Sequence, residues 1–276
     1  MSQRRAAILF SPTSIDEAKG VTINRVIGGE RMAILDPIML LDHASIGPES
    51  DVVGFPRHPH RGIETVSYVI TGEVGHKDSI GNEGIVGPGG TQWMTAGNGI
   101  YHEEMMKPGN EGAEMLQLWF SLPRDQKRIP PAYHGGPAAS VPQIVEGGKT
   151  VRIVAGSYAN TSGMFDGIAA KPTILDVQLE PNAEFEIPTE VNAATFAYVI
   201  RGSVTTDGKA ASAPKVVVFS SGEKVVIQAG PNGARLFFVS AMPLDEPILQ
   251  YRSFVMNSVD DIDETLEMIH AGTFAR

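Results

Sequence analysis

An eleven-residue phrase occurs twice in this chain. Residues 64–74 read ETVSYVITGEV and residues 194–204 read ATFAYVIRGSV, with six identities at an offset of 130. Each copy is a β-branched and aromatic run that enters a glycine and resumes, the pattern of a strand, a turn and a strand. A second alignment, Gly89 ahead of WMTAG with Gly222 ahead of VVIQAG, follows in the same order at an offset of 133. Two near-equal offsets point to duplication of one β-rich unit rather than to a common hairpin phrase. Thirty glycines and nineteen prolines punctuate short runs such as 65–70, 150–155, 196–200 and 215–219, and long 3.6-residue periodicity is nearly absent. That predicts an all-β fold, sandwich or barrel.

The copies are joined through residues 122–148, which contain RIPPAY, HGGP and EGG. The pairs Pro130-Pro131 and Gly135-Gly136 exclude regular structure there, on local propensity. An N-terminal lobe over 1–135 and a C-terminal lobe over 136–276 are therefore expected, the latter opening with a strand at VRIVAGSY. One helix is legible, over 258–271. Ser258 or Asn257 can cap it, acidic residues fill its first turn, Ile262, Leu266 and Ile269 form its apolar stripe, and Gly272 ends it. Its expected role is to dock on a barrel.

Composition removes several classes of function. The absence of cysteine excludes disulfides, thiolate metal sites and cysteine nucleophiles, so any metal must be held by nitrogen and oxygen. A net charge of −10 argues against direct nucleic-acid binding but not against a protein partner. The apolar run after Arg4 and Arg5 stops at Ser11-Pro12, too short for a signal segment, and nothing else approaches a membrane span. A cytoplasmic protein is expected, nuclear if the source is eukaryotic, and a monomer.

The chemistry is concentrated in two pairs, His58/His60 and His102/Glu104, 44 residues apart in a chain with seven histidines. Side chains at i and i+2 of a strand share a face, with Cα atoms roughly 6.5–7 Å apart. Two such strands facing each other would offer three imidazoles and a carboxylate to one ion. By parity Glu103 faces away. Glu64 follows His60 by an even count and stands as an alternate or supporting ligand, unless a bulge at Gly62 reverses its face. His76 reads as a solvated loop residue that can also line a cavity mouth. His43 and His134 read as surface or loop residues, and Trp93 and Met94 as core, one of them near the cavity. Projection by the repeat puts Pro188 and Glu190 where His58 and His60 stand, and the counterparts of His102 and Glu104 within 235–238. Only the first lobe can hold a histidine site. Such a mixed N/O set with open positions suits Fe(II), Mn(II), Co(II), Ni(II) or Cu(II), and Zn(II) can also bind.

The stretch FPRHPHRGIETVSYVITGEV, the later WMTAGNGIYHEEM, VRIVAGSY and EPILQYRSFVMNS together resemble the pirin family of the cupin superfamily. The resemblance covers nearly the whole chain. It implies a bicupin: two jelly-roll-like β-barrel lobes, a short C-terminal helix and one metal, usually iron, in the first lobe. The family's ligands map onto His58, His60, His102 and Glu104. It further implies a quercetin 2,3-dioxygenase-like activity, in which a flavonol is opened by O2 with release of carbon monoxide and Glu104 serves as the base. The family's other known role, as a metal- and redox-dependent regulator of partner proteins, is the alternative.

Overall fold

The structure is a computed structural model and describes residues 1–29, 34–165 and 169–275. Contacts gather the chain into two compact units. One comprises 14–28, 38–139 and 244–276 and contains all seven histidines; the other comprises 1–13, 29–37 and 140–243. Each chain end thus belongs with the opposite half of the sequence, which a single division at 135/136 does not express. The physical reason is that local pattern identifies an element but not the edge it joins. Strand Ala6–Phe10 pairs with Lys215–Phe219 and closes one edge of a sheet in the second unit. Helix Val259–His270 lays Ile262, Leu266 and Ile269 against Phe254, Met256 and Phe274 of the histidine unit. As its sequence requires, Ser258 caps it by accepting a hydrogen bond from the Asp261 amide at 3.2 Å. No described helix is long and apolar enough to cross a membrane.

The histidine unit is built from two sheets. The larger runs Ala132–Gly136, Thr91–Thr95, Ile63–Thr71, Ala113–Ser121, Ile38–Ile46, Thr22–Ile27 and Thr13–Ile15; the smaller runs Val53–His60, Ile100–Lys107, Glu73–Asp78 and Glu83–Val86. Both sheets keep free edges, so the lobe is a cupin-like sandwich and not a closed barrel. Ile23, Ala44, Val69, Val74, Met106 and Met115 fill its apolar part.

The second unit repeats this plan in one nine-stranded sheet, whose main path is Ala6–Phe10, Lys215–Phe219, Ala194–Thr206, Lys224–Ala241, Thr173–Leu179, Lys149–Ala155 and Gln143–Glu146. The duplicated phrase marks the correspondence. Gly72 and Gly202 both have φ of +71°, and a Cβ at either would lie 2.5 Å from Ala113 Cβ or 2.1 Å from the Gly233 carbonyl. The alignment through Gly89 and Gly222 does not hold. Thr91–Thr95 and Lys215–Phe219 are the equivalent strands, since each pairs with its unit's copy of the phrase. Lys224, facing Pro188, therefore stands in the place of His102, which faces His58. Past the register slip Glu104 faces Phe55, and at the matching place Ile227 faces Phe185, so Ile227 takes the place of Glu104. The outcome for chemistry is unchanged, because neither counterpart is an imidazole.

The connector also departs from expectation. Ala132–Gly136 is a strand paired with Thr91–Thr95, and Gln143–Glu146 is a strand paired with Lys149–Ala155. Both are edge strands. An edge needs hydrogen bonds on one side only, so the glycine pair is tolerated and the proline pair simply precedes the first strand.

Candidate metal centre

Antiparallel pairing brings the two sequence pairs together. Val53–His60 lies against Ile100–Lys107 with His58 opposite His102 and His60 opposite Ile100, and the register slips between His102 and Glu104. Inward parity buries His60, His102 and Glu104 almost completely, while His58 stays half-buried. The Nε2 atom of His58 lies 2.9 Å from that of His60 and 3.1 Å from that of His102.

The proton positions favour a cation at this point. His58 Nδ1 sits 2.7 Å from the Pro56 carbonyl and His60 Nδ1 3.3 Å from the Ser253 carbonyl, so each Nδ1 donates and Nε2 is the atom that the neutral ring turns toward the cluster. Burial first, then the charge of His58, holds His60 well below the usual histidine value; burial and the charges of His60, His58 and His76 do the same for His102. Neutral imidazoles with converging lone pairs repel one another unless a cation lies between them. Cis nitrogens on an octahedral ion with bonds of about 2.1 Å are about 3.0 Å apart, against about 3.4 Å on a tetrahedral one. The observed spacings match the first, and a divalent transition ion fits the donor set.

Glu104 is placed differently. Ligand atoms of His58, His60 and His102 all lie within 4.8 Å of one another, and Glu104 falls outside that group. Its Oε1 accepts from the Ser67 hydroxyl, and its Oε2 from Gln117 Nε2 at 2.8 Å. Ser67 and Gln117 face each other across adjacent strands of the larger sheet.

Several neighbours of the cluster lie elsewhere than local sequence pattern places them. His76 is no loop residue: it is buried opposite Glu104, stacks on Tyr133 with ring centres 4.1 Å apart, and has Nε2 3.3 Å from Asp78 Oδ2. The signal was available, since His76 and Asp78 repeat the i, i+2 spacing of the other pairs. Burial would raise the Asp78 carboxyl, but the Asn82 side chain and amide, His76 and the Ile80 amide overcome it and hold it low. The Tyr133 phenol donates to Gln92 Oε1 at 2.5 Å and is pushed up to about 12 by burial and by the charges of Glu104 and Asp78. Trp119 meets His60 edge to face at 4.9 Å, and its buried Nε1 has no hydrogen-bond partner among the described residues. Glu64 does not join the cluster. Gly62, with φ of +75°, ends one strand's parity before the next begins, and Glu64 instead accepts from Thr95 Oγ1 at 2.9 Å. His43 is buried on its strand with Nε2 2.6 Å from Glu114 Oε1, whereas His134 is exposed as expected. Trp93 and Met94 are buried.

The pirin family pattern matches residues 20–120, and the pirin C-terminal cupin domain matches residues 174–275. The chain is 35% identical to pirin from Rattus norvegicus over 277 aligned residues, covering 96% of this chain and 91% of that one. The chain belongs to the pirin family. Another member, pirin-like protein 2 of Arabidopsis thaliana, is 35% identical across 93% of this chain and 81% of its own. Among solved structures, the quercetin 2,3-dioxygenase of Acinetobacter baumannii superposes with a TM-score of 0.91 at 30% identity, covering 99% of both chains. A bacterial pirin of Escherichia coli in complex with nickel(II) shares the fold, with a TM-score of 0.66 at 20% identity over 86% of this chain and all of the other. A pirin-type bicupin architecture and a three-histidine cluster suited to a divalent metal thus stand together.

Proposed function

We propose that this pirin-family chain is a metal-dependent dioxygenase that opens flavonols such as quercetin with O2 and releases carbon monoxide. In this reading the histidine unit carries one metal, iron(II) by preference, on His58, His60, His102 and Glu104, and the second unit carries none. The observation that supports it best is the convergence of three imidazoles, His58 Nε2 lying 2.9 Å from that of His60 and 3.1 Å from that of His102, with the buried Glu104 carboxylate two residues beyond His102 on the same strand. The likeness to the Acinetobacter baumannii quercetin 2,3-dioxygenase over 99% of both chains supports the substrate class.

A divalent ion held there supplies Lewis-acid polarisation and a template for the reactants. The chain's own residues do the rest. Glu104 takes the proton of the flavonol 3-hydroxyl, leaving an oxyanion able to share the ion's open positions. The carbonyls of Pro56 and Ser253 orient His58 and His60 through their Nδ1 hydrogens. Tyr133, kept protonated far above neutral pH, holds its hydrogen bond to Gln92 and its stack on His76, which faces Glu104 across the strand pair.

The test is a paired assay on one preparation: iron-loaded protein with quercetin under air. Loss of flavonol absorbance with about one carbon monoxide per substrate consumed is expected of such a dioxygenase. Stoichiometric metal with neither change would contradict the enzyme and leave the regulatory reading of the family.

A further inference from the structure

We infer that Ser67 and Gln117 are positioning residues that form a second berth for the Glu104 carboxylate and compete with the metal for it. The inference rests on reading the three-imidazole cluster as a metal site. Both oxygens of Glu104 are engaged away from the imidazoles, Oε1 by the Ser67 hydroxyl and Oε2 by Gln117 Nε2 at 2.8 Å. Even trans ligands with bonds of about 2.1 Å are only about 4.2 Å apart. A carboxylate outside a 4.8 Å group must therefore move to complete the shell. Moving breaks or stretches charge-assisted hydrogen bonds in a buried setting, where they are strong.

Two further observations make the berth a competitor and not a fixed anchor. The Ser67 hydroxyl has one proton and two acceptors within reach, Glu104 Oε1 and Gln117 Oε1, the latter at 2.6 Å. It therefore holds the carboxylate less firmly than two full hydrogen bonds would. The pair is also not demanded by the sheet. At the equivalent cross-strand positions of the second unit stand Ala197 and Phe238, directly paired and buried in an apolar core. Polar clamping occurs in the unit where a carboxylate faces a histidine cluster.

The sign of one change tests this. A residue that orients a ligand on its metal loses about 10- to 100-fold in affinity when removed. A residue that holds the ligand off the metal does the reverse. Cobalt(II) affinity, read by competition with a chromophoric chelator, should tighten by about tenfold in Ser67→Ala and in Gln117→Leu. The cobalt d–d bands should weaken as the coordination number rises. In a Glu104→Gln background the same substitutions should leave affinity within about twofold, because the berth acts only through that carboxylate. Weaker or unchanged affinity, with unchanged bands, overturns the proposal; should Gln117→Leu not fold, Ser67→Ala decides alone. Failure of the wild-type protein to bind cobalt at all would instead remove the metal reading on which it rests.

Discussion

Imidazole protonation governs the centre. Because His60 and His102 are held below the unfolded histidine value of about 6.5, the unfolded chain binds more protons than the folded one beneath that value. Their contribution to stability is complete above about pH 6.5 and is lost as pH falls toward the folded values. The metal-free protein should thus show a lower urea midpoint at about pH 5 than at about pH 7; equal midpoints would mean that these imidazoles titrate normally. Glu104 makes a separate prediction. Glu104→Gln keeps the shape and the contact with Ser67 but removes the base, so turnover should fall by about a hundredfold or more while metal stays bound. Full activity would take the base role from it. At this scale unbroken strand parity makes the convergence of the His58, His60 and His102 imidazoles legible in the sequence. Local pattern carries less at Glu64, where the turn at Gly62 intervenes, and at Ser67 and Gln117, which meet only across strands brought together in three dimensions.

Elements show the same division between local and distant information. The helix Val259–His270, its Ser258 cap and its apolar stripe were legible because each signal lies within four residues. What the helix packs against was not. Fully buried Arg61 supplies that link, donating to Thr265 Oγ1 at 2.8 Å and to Asn98 Oδ1 at 2.9 Å. Arg61→Leu should therefore cost about 2–4 kcal/mol, as two hydrogen bonds from a charged group are lost. Amide exchange should rise first in residues 259–270; a change spread evenly over the unit would argue against a specific tether. The strand Ala132–Gly136 was hidden for a different reason. Its glycines and the prolines before it read as loop, and only pairing with Thr91–Thr95 makes it a strand and sets Tyr133 against His76.

The whole molecule applies one strand plan twice and gives it two contents. In the second unit the interior is closed with Phe185, Phe238, Leu175 and Val217; in the histidine unit the corresponding region carries Ser67, Gln117, Glu104 and imidazoles. The repeated phrase and its paired glycines made that duplication visible from sequence, while the exchange of chain ends between units was not, because it depends on edge pairing and docking. The proposed chemistry turns on an ion at the convergence of three Nε2 atoms. Anomalous diffraction from crystals grown with cobalt(II), recorded on both sides of the metal absorption edge, tests this directly. The prediction is one peak per chain, about 2.1 Å from Nε2 of His58, His60 and His102. Crystals containing cobalt elsewhere, with no peak among those imidazoles, would contradict it.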